Sequence, residues 1–300
     1  MISGYCLENL ILERANLNKF LPIIPYYDHG WMLCDSLPKG FESNPAKIHL
    51  SWNNRSKSFF KNIKKKECYI IGAPFLFYKE KYQIKKKNKK NTLFFFSHST
   101  SKINLEIDLE KIFNDLNNIP ENLKPIDVCL HYNDIKVYKS RFERNGFKTF
   151  SAGNIYDSMF VNNFYDLISN YSHTSSNIFG TYTLYSLNLD IPFFLVGDEP
   201  IFNNFGKDKN IPYRKYKISD YDFVKKINPI FDRITDKVSS EQRNLASEEL
   251  GEITRINKEE LNKILLKSYS SIFSNSSNIN SFARSLLRPI LGKYKLIFDK

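Results

Sequence analysis

The chain has 300 residues, of which 42% are hydrophobic and 25% are charged, and its formal net charge at pH 7 is +12. This composition is typical of a globular protein with a sizeable core, and it excludes a collagen-like, low-complexity or disordered chain. The longest apolar runs are the size of strands and are shorter than the roughly 18 residues that a membrane-spanning helix needs.

The first residues lack the basic and apolar regions of a signal peptide, so we expect no secretion signal. The four cysteines are scattered without a Cys-x-x-Cys pair: Cys6, Cys34, Cys68 and Cys129. This spacing argues against a disulfide framework and against a structural zinc site. We therefore expect a protein of the reducing cytoplasm.

The positive charge is concentrated in one segment. Arg55–Lys90 contains twelve Lys and one Arg against two Glu, a net charge of +11, so the rest of the chain is nearly neutral. The simplest interpretation of the run Lys85–Lys90 is a solvated linker that ends an N-terminal domain at residue 90. A basic segment is also typical of proteins that meet an anionic membrane surface or a nucleic acid.

Before this linker, three short segments have the pattern of strands: Ile23–Tyr27, Lys47–Trp52 and Cys68–Gly72. After it, apolar runs predict further strands: Thr92–Phe96, Ile126–Leu130, Phe147–Phe150, Asp166–Asn170 and Ile191–Val196. Helical spacing predicts the segments between them as helices: Leu105–Asn117, Val137–Asn145 with Gly146 as its C-cap, Ser158–Tyr165 and Ser175–Leu187.

Continuous apolar strands that alternate with helices indicate a parallel sheet covered on both faces. The predicted fold class is therefore α/β, with a doubly wound parallel sheet in residues 91–220. From residue 221 onward the pattern is helical, with helices predicted over Ser239–Leu250 and Lys258–Lys267. A basic, partly apolar tail is predicted over Phe282–Phe298.

Four of the five histidines directly follow a predicted strand: His29, His98, His131 and His173. Because ligands of an open parallel sheet bind outside the carboxyl ends of its strands, we expect at least two of these histidines to line one cleft. Ser97, Ser99 and Asn133 lie in the same loops and are further candidates for ligand binding. A zinc site is not favoured, because no carboxylate or second histidine follows at ligand spacing.

The segment His173-Thr174-Ser175-Ser176-Asn177 is predicted to join a strand to a helix. The free N–H groups and the dipole of a helix N-terminus favour a bound phosphate, and the hydroxyls of Thr174, Ser175 and Ser176 add donors. The alternative is simple N-capping, for which one hydroxyl is sufficient. Glycine-rich dinucleotide and P-loop motifs and the G-x-S-x-G motif are absent from the sequence, which disfavours NAD enzymes, P-loop NTPases and α/β-hydrolases.

Asp28-His29-Gly30 places a carboxylate and an imidazole beside a glycine, and either group can take a proton from a sugar hydroxyl. This tripeptide is followed along the chain by His131 and by Ser175-Ser176. The combination resembles GT-B-type glycosyltransferases, in particular bacterial sialyltransferases and related transferases of capsule and lipopolysaccharide synthesis. The resemblance covers roughly Ile23–Pro200.

The resemblance implies a GT-B-like fold with a reduced N-terminal acceptor domain over residues 1–90, a nucleotide-sugar-binding domain over residues 91–220, and a helical C-terminal region over residues 221–300. It implies Asp28 as the general base with His29 beside it, and His131 as the partner of the donor's phosphate. Ser175 and Ser176 would hold the same phosphate. Two positions depart from the family pattern: Tyr132 stands where the family has proline, and His29 stands where it has a second acidic residue.

In this interpretation the substrates are a nucleotide-sugar donor and a glycan or lipid-linked acceptor, and no metal or other cofactor is needed. Asp220-Tyr-Asp222 has the spacing of a metal motif but lies after the α/β repeat. The basic segment and the basic tail predict peripheral attachment to the inner face of the membrane. The alternative function is nucleic-acid binding or a nuclease, which the confinement of the charge to one segment disfavours.

Overall fold

A computed structural model of the chain describes residues 6–37, 44–61, 63, 66–87, 89–100, 102–204 and 215–273. The strands form two parallel sheets and one small antiparallel sheet, so the predicted α/β class with parallel sheets is confirmed. Within the described ranges, no helix is both long and apolar enough to cross a bilayer. The predicted tail Phe282–Phe298 lies outside the described residues.

The strands, in chain order, are β1 (Tyr26–Tyr27), β2 (Ile48–Ser51), β3 (Glu67–Ile70), β4 (Lys90–Phe95), β5 (Asn104–Glu106), β6 (Ile126–Cys129), β7 (Lys148–Phe150), β8 (Tyr171–Ser176), β9 (Phe193–Leu195), β10 (Ile201–Asn203) and β11 (Lys215–Tyr216). The α-helices are α1 (Leu7–Arg14), α2 (Asn54–Ser58), α3 (Pro74–Tyr82), α4 (Leu109–Asn117), α5 (Ile135–Arg144), α6 (Phe160–Ile168), α7 (Thr181–Asn188), α8 (Asp222–Ile227), α9 (Ser240–Glu249) and α10 (Lys258–Phe273).

The central sheet has five parallel strands in the order β7-β6-β4-β8-β9. Neighbouring residues of β4 point to opposite faces: Phe94 packs with side chains of α4 and α5, and Phe95 packs with side chains of α6 and α7. Both faces are therefore covered by helices, and the strand order reverses beside β4. This is the doubly wound arrangement that the alternation of strands and helices predicts.

The N-terminal sheet contains three parallel strands in the order β1-β2-β3, and all four residues of β2 are buried. Residues 250–256, almost two hundred positions later in the chain, contact this sheet. The N–H of Ala73 donates to the carbonyl of Leu250 at 2.9 Å, and the N–H of Ile256 donates to the carbonyl of Ile70 at 2.8 Å. The C-terminal helices therefore pack on the N-terminal sheet, since a parallel sheet needs both faces covered.

The two C-terminal helices predicted from periodicity are confirmed as α9 and α10. Helix α9 begins at a capping box, in which the Ser239 hydroxyl accepts from the N–H of Gln242 and the Gln242 side chain accepts from the N–H of Ser239. The predicted C-cap Gly146 has φ of +85°, as the left-handed end of a helix requires. Local signals therefore mark these helix ends correctly.

The predicted helix Leu105–Asn117 is wrong at its start. Helix α4 begins at Leu109, and the Asp108 side chain caps it by accepting from the N–H of Lys111 at 3.1 Å. The preceding residues form β5, which joins β10 and β11 in the antiparallel sheet β11-β10-β5. The pairing partner of β5 lies almost a hundred residues later, so the local sequence carries no sign of it.

The predicted strand Asp166–Asn170 and the predicted helix Ser175–Leu187 are also wrong. Helix α6 continues to Ile168, the strand β8 is Tyr171–Ser176, and the next helix, α7, begins only at Thr181. The polar sequence of β8 forms a central strand because its hydroxyls bond to the backbone of its neighbours. Ser172 and Ser176 donate to the carbonyls of Asn91 and Phe95 on β4, which replaces the apolar pattern expected of such a strand.

Candidate functional site

A cavity of about 560 Å³ lies at the carboxyl edge of the central sheet. Its walls come from the loop after β1, the loops after β4, β6 and β7, and the start of α7. Its lining includes the polar residues His29, Ser97, His98, His131, Ser151 and Thr181. Ligands of open α/β sheets bind at this edge, and the volume lies within the roughly 300–1,000 Å³ typical of small-molecule sites.

Three of the four histidines that follow predicted strands line this cavity: His29, His98 and His131. His173 does not, because it is the third residue of β8 and pairs with Thr92 on β4, three residues before the carboxyl end of that strand. The prediction that His173 belongs to the ligand site is therefore wrong. The prediction took Asp166–Asn170 as the strand, whereas the strand is β8 and contains His173 itself.

The Asp28 side chain is buried within the N-terminal sheet. It is 2% exposed, and its carboxylate accepts from His49 Nε2 at 2.7 Å, from the Trp52 N–H at 3.1 Å and from the Ser56 hydroxyl at 2.6 Å. Asp28 is also absent from the cavity lining. The structure therefore contradicts its assignment as the base that touches an acceptor, and it gives Asp28 the role of holding the start of the His29 loop.

The loop His29-Gly30-Trp31 reaches the cavity and is held at both ends. At the end of the loop, the N–H of Trp31 donates to the Thr181 hydroxyl at 3.1 Å, and Trp31 Nε1 donates to Glu249 Oε2 at 2.7 Å. The His29 side chain is exposed and opens to the cavity. Loss of solvation against the neighbouring protein lowers its pKa, and the nearby Asp28 charge opposes this effect.

His98 and His131 form a stacked pair at the ends of two adjacent strands. Their ring centroids are 4.3 Å apart and the ring planes differ by 16°. Burial first, and then the charge of His98, lower the pKa of His131 to about 4, so the His131 ring is neutral at pH 7. The pair presents two imidazoles to the cavity at the carboxyl edge of the central sheet, where ligands of open α/β sheets bind.

Asp134 lies beneath this pair, and the sequence did not identify it. It is 3% exposed, and its Oδ1 accepts from the Ser99 hydroxyl at 2.9 Å, while its Oδ2 is buried and has no hydrogen-bond partner. Burial raises the pKa of Asp134. One ligand atom from each of His98, His131 and Asp134 lies within 4.8 Å of the other two.

The helix N-terminus at the cavity belongs to Gly180 and Thr181, not to the predicted serine pair. Gly180 is the N-cap of α7, and both residues line the cavity. A Cβ added at Gly180 would lie 2.6 Å from the Tyr182 ring, which stacks on Phe95 with centroids 4.5 Å apart. Only glycine therefore allows the helix to begin this close to the packed ring.

The residues Thr174, Ser175 and Ser176 lie inside β8, fully buried and away from the cavity lining. Ser176 Oγ donates to the Phe95 carbonyl at 2.6 Å and contacts the Tyr182 hydroxyl at 2.7 Å, whereas Ser175 Oγ has no hydrogen-bond partner. Their prediction as a phosphate cradle at a helix N-terminus is wrong. The helix that does present its N-terminus starts five residues after Ser176.

The remaining predicted residues divide between the cavity and its support. Ser97 lines the cavity, and its N–H donates to Asn177 Oδ1 at 3.0 Å. Ser99 is not part of the cavity lining, and its hydroxyl donates to Asp134 Oδ1. Asn133 is exposed outside the cavity lining, and its N–H makes a long contact of 3.4 Å with His131 Nδ1.

Glu249 is a supporting residue that the sequence could not reveal. Its carboxylate pairs with Arg55 at 2.8 Å and accepts from Trp31, which lies 218 positions earlier. The Arg55 guanidinium lies over the Phe223 ring, 3.7 Å from its centroid. Helices α8 and α9 thereby fix one wall of the cavity.

A comparison of the chain with models of known families, with curated proteins and with solved structures finds no match. The function proposed below therefore rests on the fold and on the geometry of the cavity.

Proposed function

We propose that the protein is a glycosyltransferase of GT-B type, which moves a sugar from a nucleotide-activated donor to a surface glycan or a lipid-linked acceptor. The observation that carries the proposal is the convergence on one cavity of the His98–His131 pair, the N-terminus of α7 and the His29 loop of the other sheet. These are the groups needed to hold a phosphate and to accept a proton beside it.

The donor's phosphate would lie between the histidine pair and the start of α7. The first N–H groups of a helix have no partner within the helix, and its dipole favours an anion. Among the described residues that line the cavity there is no Lys or Arg. Imidazoles, backbone N–H groups and the Thr181 hydroxyl are therefore the groups that meet the phosphate, and they would stabilise the leaving nucleotide.

His29 is the proposed base, in place of Asp28. A histidine that is neutral at pH 7 can take the proton of an acceptor hydroxyl, and the lowered pKa of His29 favours that neutral form. The bonds of Asp28 and Trp31 on either side of His29 hold its position. In this mechanism Asp28 orients the base and does not touch the acceptor.

The experiment is a thermal-shift and binding series with CMP, UDP and GDP and with their sugar conjugates. One nucleotide should raise the melting temperature, since a ligand at a hundredfold excess over its dissociation constant stabilises by about 2.7 kcal/mol. His98→Ala should weaken the binding of that nucleotide. His29→Ala should bind the nucleotide with parental affinity but lose sugar transfer. Stabilisation by single-stranded or duplex DNA, and by none of the nucleotides, would favour the nucleic-acid alternative.

We also propose peripheral attachment to the inner face of the membrane, through those lysines of the basic segment Arg55–Lys90 that do not pair with carboxylates of the fold. Basic residues near an anionic leaflet contribute about 1 kcal/mol each, and the attraction is screened by salt. The protein should float with anionic vesicles at low salt, and neither with neutral vesicles nor at high salt. Failure to float with anionic vesicles at low salt would contradict the proposed attachment and would remove this argument for a lipid-linked acceptor.

A further inference from the structure

The cluster of His98, His131 and Asp134 combines two imidazoles with one carboxylate. The loops after β4 and β6 bring these residues together, and their ligand atoms lie within 4.8 Å of one another. Two imidazole nitrogens and one carboxylate oxygen are a donor set that suits Zn²⁺ and neighbouring transition metals. Tetrahedral ligands 2.0–2.2 Å from one ion lie about 3.3–3.6 Å apart, so side-chain rotations that bring the three ligand atoms closer by about 1 Å would close the set.

Asp134 carries the independent observation. It occupies the N-cap of α5 but makes no side-chain cap bond, whereas Asp108 and Ser239 both cap their own helices. Its carboxylate turns instead toward the histidine pair, and its buried Oδ2 has no hydrogen-bond partner. A buried carboxylate oxygen without a partner is costly, and a cation bound beside it would remove this cost.

Ser99 orients both neighbouring groups. His98 Nδ1 lies 3.0 Å from the Ser99 carbonyl, and because a carbonyl only accepts, Nδ1 carries the proton and Nε2 of the neutral ring keeps its lone pair. The Ser99 hydroxyl donates to Asp134 Oδ1, which leaves Oδ2 for another partner. A histidine held through its second nitrogen by a carbonyl is the usual arrangement of a metal ligand.

We propose that His98, His131 and Asp134 bind one divalent transition-metal ion, with Zn²⁺ as the probe that represents the class. His131 would give up its long contact with the N–H of Asn133 or turn its other nitrogen to the ion. Three protein ligands leave at least one position open, as in catalytic zinc sites. The ion would meet an anionic ligand in the cavity, and this departs from the metal-free chemistry that the sequence led us to expect.

The test is titration of the chelator-treated full chain with Zn²⁺, by calorimetry and by competition with a chromogenic chelator. We expect one ion per chain, with at least tenfold weaker binding in Asp134→Asn and in His98→Ala. Asn keeps an acceptor for the Ser99 hydroxyl, and melting curves confirm that each variant is folded. His173→Ala, which removes a histidine outside the cavity, is the matched control and should bind Zn²⁺ as the parent does.

Zn²⁺ binding that is absent, or equal in all four proteins, would overturn the proposal. The nucleotide series repeated in EDTA and in Zn²⁺ separates this result from the proposed function, because the ion site overlaps the proposed phosphate site. Nucleotide binding without Zn²⁺ binding would end only the metal proposal. Zn²⁺ binding that depends on His98 and Asp134, without binding of any nucleotide, would support the ion site and contradict the glycosyltransferase.

Discussion

Replacing Asp28 by alanine tests whether this carboxylate holds the fold instead of acting on a substrate. The substitution removes the acceptor of the Trp52 N–H and the buried bonds to His49 and Ser56. A buried donor that loses its acceptor costs about 1–3 kcal/mol, and Asp28→Ala leaves three such donors. Because neighbouring groups relax around the smaller side chain, we expect Asp28→Ala to lower the free energy of unfolding by about 3–5 kcal/mol, toward the lower end of this sum.

Urea unfolding with an unchanged m-value measures this loss as a shift in the midpoint. Asp28→Asn keeps the volume and one acceptor oxygen, but its amide must face one of the three donors, so we expect an intermediate loss. Asp232→Ala is the control, because Asp232 is exposed and makes only a 4.0 Å contact with Arg233, and exposed pairs contribute at most about 1 kcal/mol.

A loss for Asp28→Ala within about 1 kcal/mol of this control would refute the structural role, since the three bonds would then contribute almost nothing. A second result would also contradict it. If Asp28→Asn folds with parental stability and binds the nucleotide but no longer transfers sugar, Asp28 returns as the catalytic base. Loss of transfer together with lowered stability agrees with a residue that positions His29.

The remaining predictions concern β8, α7 and His29. Ser176→Ala should lower the free energy of unfolding by about 1–2 kcal/mol, whereas Ser175→Ala next to it should be neutral or stabilising, because only the Ser176 hydroxyl loses partners; urea midpoints of the two variants compare them directly. Gly180→Ala should cost about 1–3 kcal/mol and weaken nucleotide binding, since the new Cβ meets the Tyr182 ring; parental melting and affinity would contradict the close approach. The rate of sugar transfer should fall in acid with a midpoint below pH 6.5, because loss of solvation lowers the pKa of His29 and only the neutral ring accepts a proton; a midpoint above pH 6.5 in the pH profile of kcat/KM would exclude His29 as the base.

The fold class could be predicted from the sequence because strands buried on both faces consist of continuous apolar runs, which are visible in the local sequence. The apolar runs that became β4 and β6 show this, and so do the helical spacing of α9 and α10 and the C-cap signal at Gly146. The position of His98 and His131 directly after such runs was enough to place them at one sheet edge, whereas His29 follows a strand of the other sheet and meets them only in the tertiary structure. Each of these inferences depends on residues that are neighbours along the chain.

The tertiary structure alone decided the rest, because the decisive partners lie far away in sequence. The hydroxyls of Ser172 and Ser176 donate to the backbone of β4, so a polar segment became a central strand, and the helix that begins at the cavity starts after Gly180 and not at Ser175. Asp28 lies next to His29 in the chain, yet its contacts with other parts of the N-terminal sheet remove it from the cavity. Asp134 joins His98 only because two parallel strands end side by side, a proximity that sheet topology creates and that no local spacing of residues can encode.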